Sequence, residues 1–126
     1  MRYTLAAILI LGTAAAAPDS RTISDEQLYD EFRQNNLRAQ HTYSGHTYDV
    51  TGYFDNAADR MWSDGIEIRL GEHIRTFLGY ADQSQLAAIM RYNTGDTITL
   101  RCAIDKAGVI GIPSGSDCVV IQILGR

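Results

Sequence analysis

The stretch IEIRL (Ile66 to Leu70) alternates apolar and polar residues without a break. That period of two is the mark of a strand with one face buried. Four further segments read as strands. In HTYDVTGYF (His46 to Phe54), Tyr48, Val50, Gly52 and Phe54 share one face, and Thr47, Asp49, Thr51 and Tyr53 share the other. HIRTFLGY (His73 to Tyr80) puts Ile74, Thr76 and Leu78 in phase, and TITLRCAI (Thr97 to Ile104) does so for Ile98, Leu100 and Cys102. CVVIQIL (Cys118 to Leu124) is the last of the five. Gly52, in mid-strand, marks a bulge or sharp bend.

Two helical patterns interrupt the strands. Ile23 to Gln40 opens with Ser24 three residues before Gln27, the spacing of a capping box, and with Asp25 and Glu26 in the first turn. Leu28, Phe32, Asn35 and Ala39 then recur on one face, so a helix is expected over about 24–40, lying over a core. Asp82 to Asp96 predicts a short helix with Leu86, Ile89 and Met90 as its apolar stripe, ended by Asn93-Thr94-Gly95. The order is helix, three strands, helix, two strands. A short helix between the third and fourth of five strands is the layout of the OB-fold, a five-stranded Greek-key barrel. The expectation is one mainly-β domain over residues 18–126, with the barrel over about 45–125.

The first 17 residues stand apart from that domain. Arg2, the apolar run Leu5 to Leu11 and the alanines Ala14 to Ala17 make the three parts of a secretory signal peptide, with cleavage expected after Ala15, Ala16 or Ala17. Pro18 is an awkward first mature residue and favours the first two. The apolar run is too short to remain as a membrane span. Without Arg2, ten basic residues face fifteen acidic ones, a net charge near −5, and Lys106 is the one lysine. Such a balance weighs against a nucleic-acid partner, whose phosphates call for a basic patch. Cys102 and Cys118 are an even pair in a chain expected to be periplasmic or secreted, which reads as a disulfide. Closing a loop of that size contributes about 3 kcal/mol.

The helix with Asn35 or Asn36 and Ala39, followed by YSGHTYDVTG (Tyr43 to Gly52), IEIRLG (Ile66 to Gly71), YNTGDTITLRC (Tyr92 to Cys102) and DCVVI (Asp117 to Ile121), resembles the tRNA-anti-like OB-fold domains of bacterial exported proteins and lipoproteins. The resemblance runs through most of the mature chain. It implies a small binding or interaction barrel and supplies no catalytic residues. The chain departs from the lipoprotein members in having no lipidation cysteine after its leader.

Candidate sites follow from strand phase. His41, His46 and His73 lack the spacing of converging metal ligands. Ser44 lies near His46, but no G-x-S-x-G motif is present, and no nucleophile, base and orienter assemble. No enzyme, no metal and no cofactor is therefore expected. OB-folds bind along their second and third strands and the adjoining loops. With Ile66, Ile68 and Leu70 inward, Glu67 and Arg69 face out. With Ile74, Thr76 and Leu78 inward, Arg75 and Phe77 face out. Trp62, in the preceding loop, would stack beside them on a sugar, base or peptide. The plainer alternative packs Trp62 and Phe77 under the N-terminal helix and pairs Glu67 with Arg75 across strands. The reading is a non-catalytic exported module for a protein or glycan partner, with a single-stranded nucleic-acid-binding OB domain as the alternative. Neither the ligand nor the oligomeric state follows from the sequence.

Overall fold

A computed structural model describes residues 21–61, 63–106 and 111–121. The expected leader and cleavage site, Trp62 and the end of the last strand after Ile121 lie outside the described residues. The elements, in order, are β1 (Arg21–Ser24), α1 (Asp25–Gln34), α2 (Asn36–Tyr43), β2 (Thr47–Asp59), β3 (Ile66–Glu72), β4 (Arg75–Ala81), a 3-10 turn (Gln83–Gln85), α3 (Leu86–Ile89), β5 (Thr97–Ile104) and β6 (Ser114–Ile121).

Strands β2, β3, β4, β6 and β5 pair in that order, and β2 closes the ring by pairing with β5. This closed five-stranded barrel, with helices before it and between β4 and β5, is an OB-fold. β2 serves both sides because it is long. Thr47 to Tyr53 pair with β5, and Phe54 to Asp59 pair with β3 across a bulge between Phe54 and Asn56. The residues after Phe54, expected as loop, thus continue the strand. β1, absent from the sequence reading, lies parallel to β2 from Tyr48 to Thr51.

The phase of three strands is as expected. Tyr48, Val50 and Phe54, then Ile66, Ile68 and Leu70, then Ile98, Leu100, Cys102 and Ile104 are all buried, while Tyr53 is exposed. β4 departs from its expected phase. The two residues His73 and Ile74 turn the chain, His73 at φ 58°, so that Glu72 faces Arg75 and Leu70 faces Phe77. Residues directly opposite share a face, so Phe77 follows Leu70 into the core, where it is 0% exposed, and Ile74 is left at the turn, 75% exposed. A slip of one residue inverts a whole strand. Thr76 is buried as well, and α1 packs against β4.

The N-terminal helix is two helices. Ser24 Oγ accepts the Gln27 amide at 3.0 Å, as the capping box requires, but the Gln27 side chain turns to Glu31 rather than back to Ser24. At Asn35 the backbone is extended, and the Asn35 side chain accepts the Arg38 amide, capping α2 while ending α1. Asn is a strong cap, which is why a continuous helical pattern breaks there. Leu28, Phe32, Ala39 and Tyr43 join the barrel core, with the Tyr43 ring edge-on to Tyr48 at 5.2 Å. The second expected helix shrinks to one 3-10 turn and one α turn. Of its apolar stripe Ile89 is buried, while Leu86 and Met90 are exposed.

β6 begins four residues before its expected start, because Ser114 and Gly115 pair in parallel with Leu78 and Gly79 and so close the barrel. Gly115 permits that closure: a Cβ there would lie 2.6 Å from the Cβ of Cys102. Between the pairs Arg101–Val119 and Ala103–Ser116, β5 has one residue and β6 has two. The extra residue is Asp117, at φ 53°, and the bulge sets Cys118 against Cys102. The two form the expected disulfide, with both residues buried.

Candidate ligand groove

On the outer face of the barrel, strand register brings four side chains together. Glu67 lies opposite Tyr80 and Arg69 opposite Leu78, and Arg69 pairs with Glu67 at 3.5 Å. From the β2–β3 connection, the Arg60 guanidinium lies 4.3 Å from the centre of the Tyr80 ring. A cation over an aromatic face at that distance contributes roughly 0.5–1 kcal/mol when solvent-exposed. Burial, then the nearby Glu67 charge, push the Tyr80 hydroxyl up from its ordinary value, against the opposing pull of Arg60. Tyr80 therefore stays a neutral phenol at physiological pH.

This stack forms one wall of a groove of about 500 Å³. The neighbouring strand β6, with Ser116, Asp117, Cys118 and Val119, and the start of the β5–β6 connection at Asp105 also line it. Asp105 organises that part of the lining. Its carboxylate accepts the Ser116 hydroxyl at 2.6 Å and the Ser114 hydroxyl at 3.0 Å, and its own amide donates to the Ser114 carbonyl at 2.9 Å. The end of the groove is the 3-10 turn. There Asp82 accepts the amide and the hydroxyl of Ser84, which together hold its carboxyl below the usual range. Gln85 ties the turn to β6 by accepting the Val120 amide at 3.0 Å. The groove thus presents a flat cation-capped ring together with fixed hydroxyls and carboxylates.

The residues expected from sequence fall into separate places. Glu67 and Arg69 are on the outer face beside Tyr80, paired with each other. Glu67 does not meet Arg75, since the register places Arg75 opposite Glu72. Arg75 faces α1, bonded to Asp30 at 2.6 Å and near Glu26 at 3.6 Å, and thereby fastens the helix to β4. Phe77, expected outward, is in the core for the reason of register given above, so it offers no surface to a ligand. Trp62 is outside the described residues. Arg60, Tyr80, Asp105 and Ser116 were not singled out in the sequence. For Tyr80 the signal was present: a two-residue turn at His73-Ile74 places it, rather than Phe77, on the outer face beside Glu67. His41, His46 and His73 are exposed, and among the described residues no group of three or more His, Cys, Asp or Glu side chains is placed to hold a metal ion. No helix among the described residues is long and apolar enough to cross a membrane.

The fold has known counterparts. A lipoprotein of Klebsiella pneumoniae subsp. pneumoniae MGH 78578, to which nucleic-acid binding is ascribed, superposes with a TM-score of 0.69 at 15% identity, over 80% of this chain and 91% of that one. One chain of the structure of yeast Stn1 and Ten1 gives a TM-score of 0.51 at 12% identity, over 85% of this chain and 65% of that one. At these identities the likeness is one of fold. No protein-family description matches the sequence, and no curated protein does either. The chain is an OB-fold protein, stapled by one disulfide between neighbouring strands.

Proposed function

We propose that this chain is a non-catalytic exported binding module of the tRNA-anti-like type, directed outward by residues 1–17, and that it takes a protein segment or a glycan in the groove beside Tyr80. The observation that carries this is the Arg60–Tyr80 stack, lining one groove with the bonded Asp105–Ser116 pair. It stands on the strand pair and connections where OB barrels receive ligands. A capped aromatic ring offers a flat surface to a sugar ring or a peptide plane. The fixed hydroxyls and carboxylates beside it offer hydrogen bonds to hydroxyl and amide groups. The disulfide and the lipoprotein neighbour both fit an exported setting, where disulfides persist.

The nucleic-acid reading draws on the function ascribed to the Klebsiella lipoprotein. The groove weighs against it, because Asp64, Asp82, Asp105 and Asp117 all line it and repel phosphates. Amide-shift mapping separates the two. A chito-oligosaccharide, a set of unstructured peptides and a single-stranded oligonucleotide are titrated separately at low salt. A peptide or the glycan is expected to move the Tyr80, Asp105 and Ser116 amides, and Tyr80→Ala is expected to weaken that binding roughly tenfold or more, as loss of an aromatic anchor does. Salt-dependent binding of the oligonucleotide, with none of the other probes, overturns the proposal in favour of the nucleic-acid reading.

A further inference from the structure

Asp25 is the first residue of α1, directly after the Ser24 cap, and it is only 4% exposed. Its carboxyl group lies over Gly52 of β2. A Cβ on Gly52 would stand 2.5 Å from the Asp25 Cγ, so the mid-strand glycine is the space this carboxyl fills. On the far side Oδ2 lies 3.1 Å from where a Cβ of Gly71 in β3 would be. Oδ1 accepts the Glu26 amide at 2.8 Å, whereas Oδ2 is buried and meets no hydrogen-bond partner among the described residues. An unpartnered buried oxygen costs far more as part of an anion than as part of a neutral acid. The charged groups bearing on the carboxyl are Glu26 of its own helix, which disfavours the anion, and Arg75 of β4, which favours it. Arg75 is already committed to Asp30 and Glu26. Neither β2 at Gly52 nor β3 at Gly71 offers the carboxyl a charge of its own.

We propose that Asp25 is an acid-engaged latch: held neutral, its carboxyl fastens the β1–α1 segment to the barrel, and on losing its proton it loosens that segment. Burial, the largest influence, raises the acid above the ordinary aspartate value of 3.8 against the opposing pull of the hydrogen bond from the Glu26 amide, and the Glu26 charge adds to the rise. The direction of the effect follows. Below 3.8 the group is protonated whether the segment is docked or free, and the docked form has its full advantage. As pH rises from 3.8 through the raised value, the free segment releases its proton first, and the advantage is lost.

The test is a carboxyl carbon titration of the whole chain by NMR, together with amide protection of residues 21–34 corrected for intrinsic exchange. The Asp25 carboxyl is expected to titrate above 3.8. Protection of residues 21–34 is expected to fall by up to about tenfold per pH unit across the interval from 3.8 to that midpoint, and to level off above it. Amides of β5 change less, and Asp25→Asn abolishes the slope. A carboxyl titrating at or below 3.8 overturns the latch. So does flat protection in the wild type, a slope shared equally by β5, or a slope that survives in Asp25→Asn. If that variant does not fold, the wild-type titration and the contrast with β5 still decide.

Discussion

At the groove, Asp82 and Asp105 each accept two bonds in place, from the amide and hydroxyl of Ser84 and from the hydroxyls of Ser114 and Ser116. At the start of α1, Asp25 has one oxygen bonded to the next amide and one with no donor among the described residues. Both regions are rich in acids, yet Asp82 and Asp105 are bonded differently from Asp25. The groove carries its carboxylates on a wall fixed by hydrogen bonds and by the Cys118 disulfide beneath it, and the Ser84 bonds hold Asp82 below the usual carboxylate range. The α1 region holds its carboxyl in a buried position because the neighbouring Ile23 and Leu28 are buried in the core and carry it there. The lesson is that acidity in this chain has two roles. One set of carboxylates shapes a surface and sets its sign. A single carboxyl is a conditional part of the interior.

The largest expected effect tests what supports the groove. Reducing the disulfide, or replacing both cysteines by serine, is expected to cost about 3 kcal/mol in urea unfolding. Amide exchange should rise first at Ser116 and Val119, on the groove wall, and less at Leu28 in α1. Equal loosening in both regions would break the distinction drawn above. Next in size is the contact between Asp25 and Gly52. Gly52→Ala places a methyl group on the carboxyl and is expected to destabilise, whereas the same change in an Asp25→Ala background is expected to be far better tolerated. A double-mutant cycle should return a coupling of about 1–3 kcal/mol, as for residues in direct contact. Simple additivity would mean that Gly52 is needed for strand bending alone.

Much of this barrel was legible in the sequence, and what was not has definite causes. Alternation in β2, β3 and β5 gives their buried faces, because each has enough apolar residues of one parity to fix its phase. HIRTFLGY does not, since Ile74, Phe77 and Leu78 fall on both parities. Only the two-residue turn decides, and with it whether Phe77 or Tyr80 faces a ligand. Gly52 was expected to mark a bulge or sharp bend, but it pairs in regular register with Ile98, and the bulge falls between Phe54 and Asn56. That its missing side chain makes room for Asp25, 27 positions earlier, depends on how β1 and α1 dock, which no local pattern carries. Asp25 itself has the position of an ordinary acid in the first turn of a helix, so nothing in its spacing distinguishes it from Glu26. The groove was missed for a similar reason: Arg60, Tyr80 and Asp105 come from three separate segments and meet only once the barrel closes.

The smallest expected effect is also the one that most directly opposes the two regions. Asp82 is held below the usual carboxylate range, first by the Ser84 hydroxyl and then by the Ser84 amide. A lowered acid stabilises above its unfolded value of 3.8, and that contribution is lost as pH falls through its folded value. Asp25 is raised, and its contribution is lost as pH climbs above 3.8. Acidification from neutral pH should therefore tighten residues 21–34 first and leave the 3-10 turn at Gln83–Gln85 unaffected until the pH drops below 3.8. Further acidification should then loosen that turn and, through Gln85, the Val120 amide it holds. Residue-resolved exchange over pH 3 to 7 reads both limbs in one experiment. Because Asp82 is at the surface, its limb should be shallow and should shrink on Asp82→Asn with no change at α1. If both regions responded to pH in the same direction, the division between surface carboxylates held by hydroxyl donors and an interior carboxyl with one unpartnered oxygen would have to be abandoned.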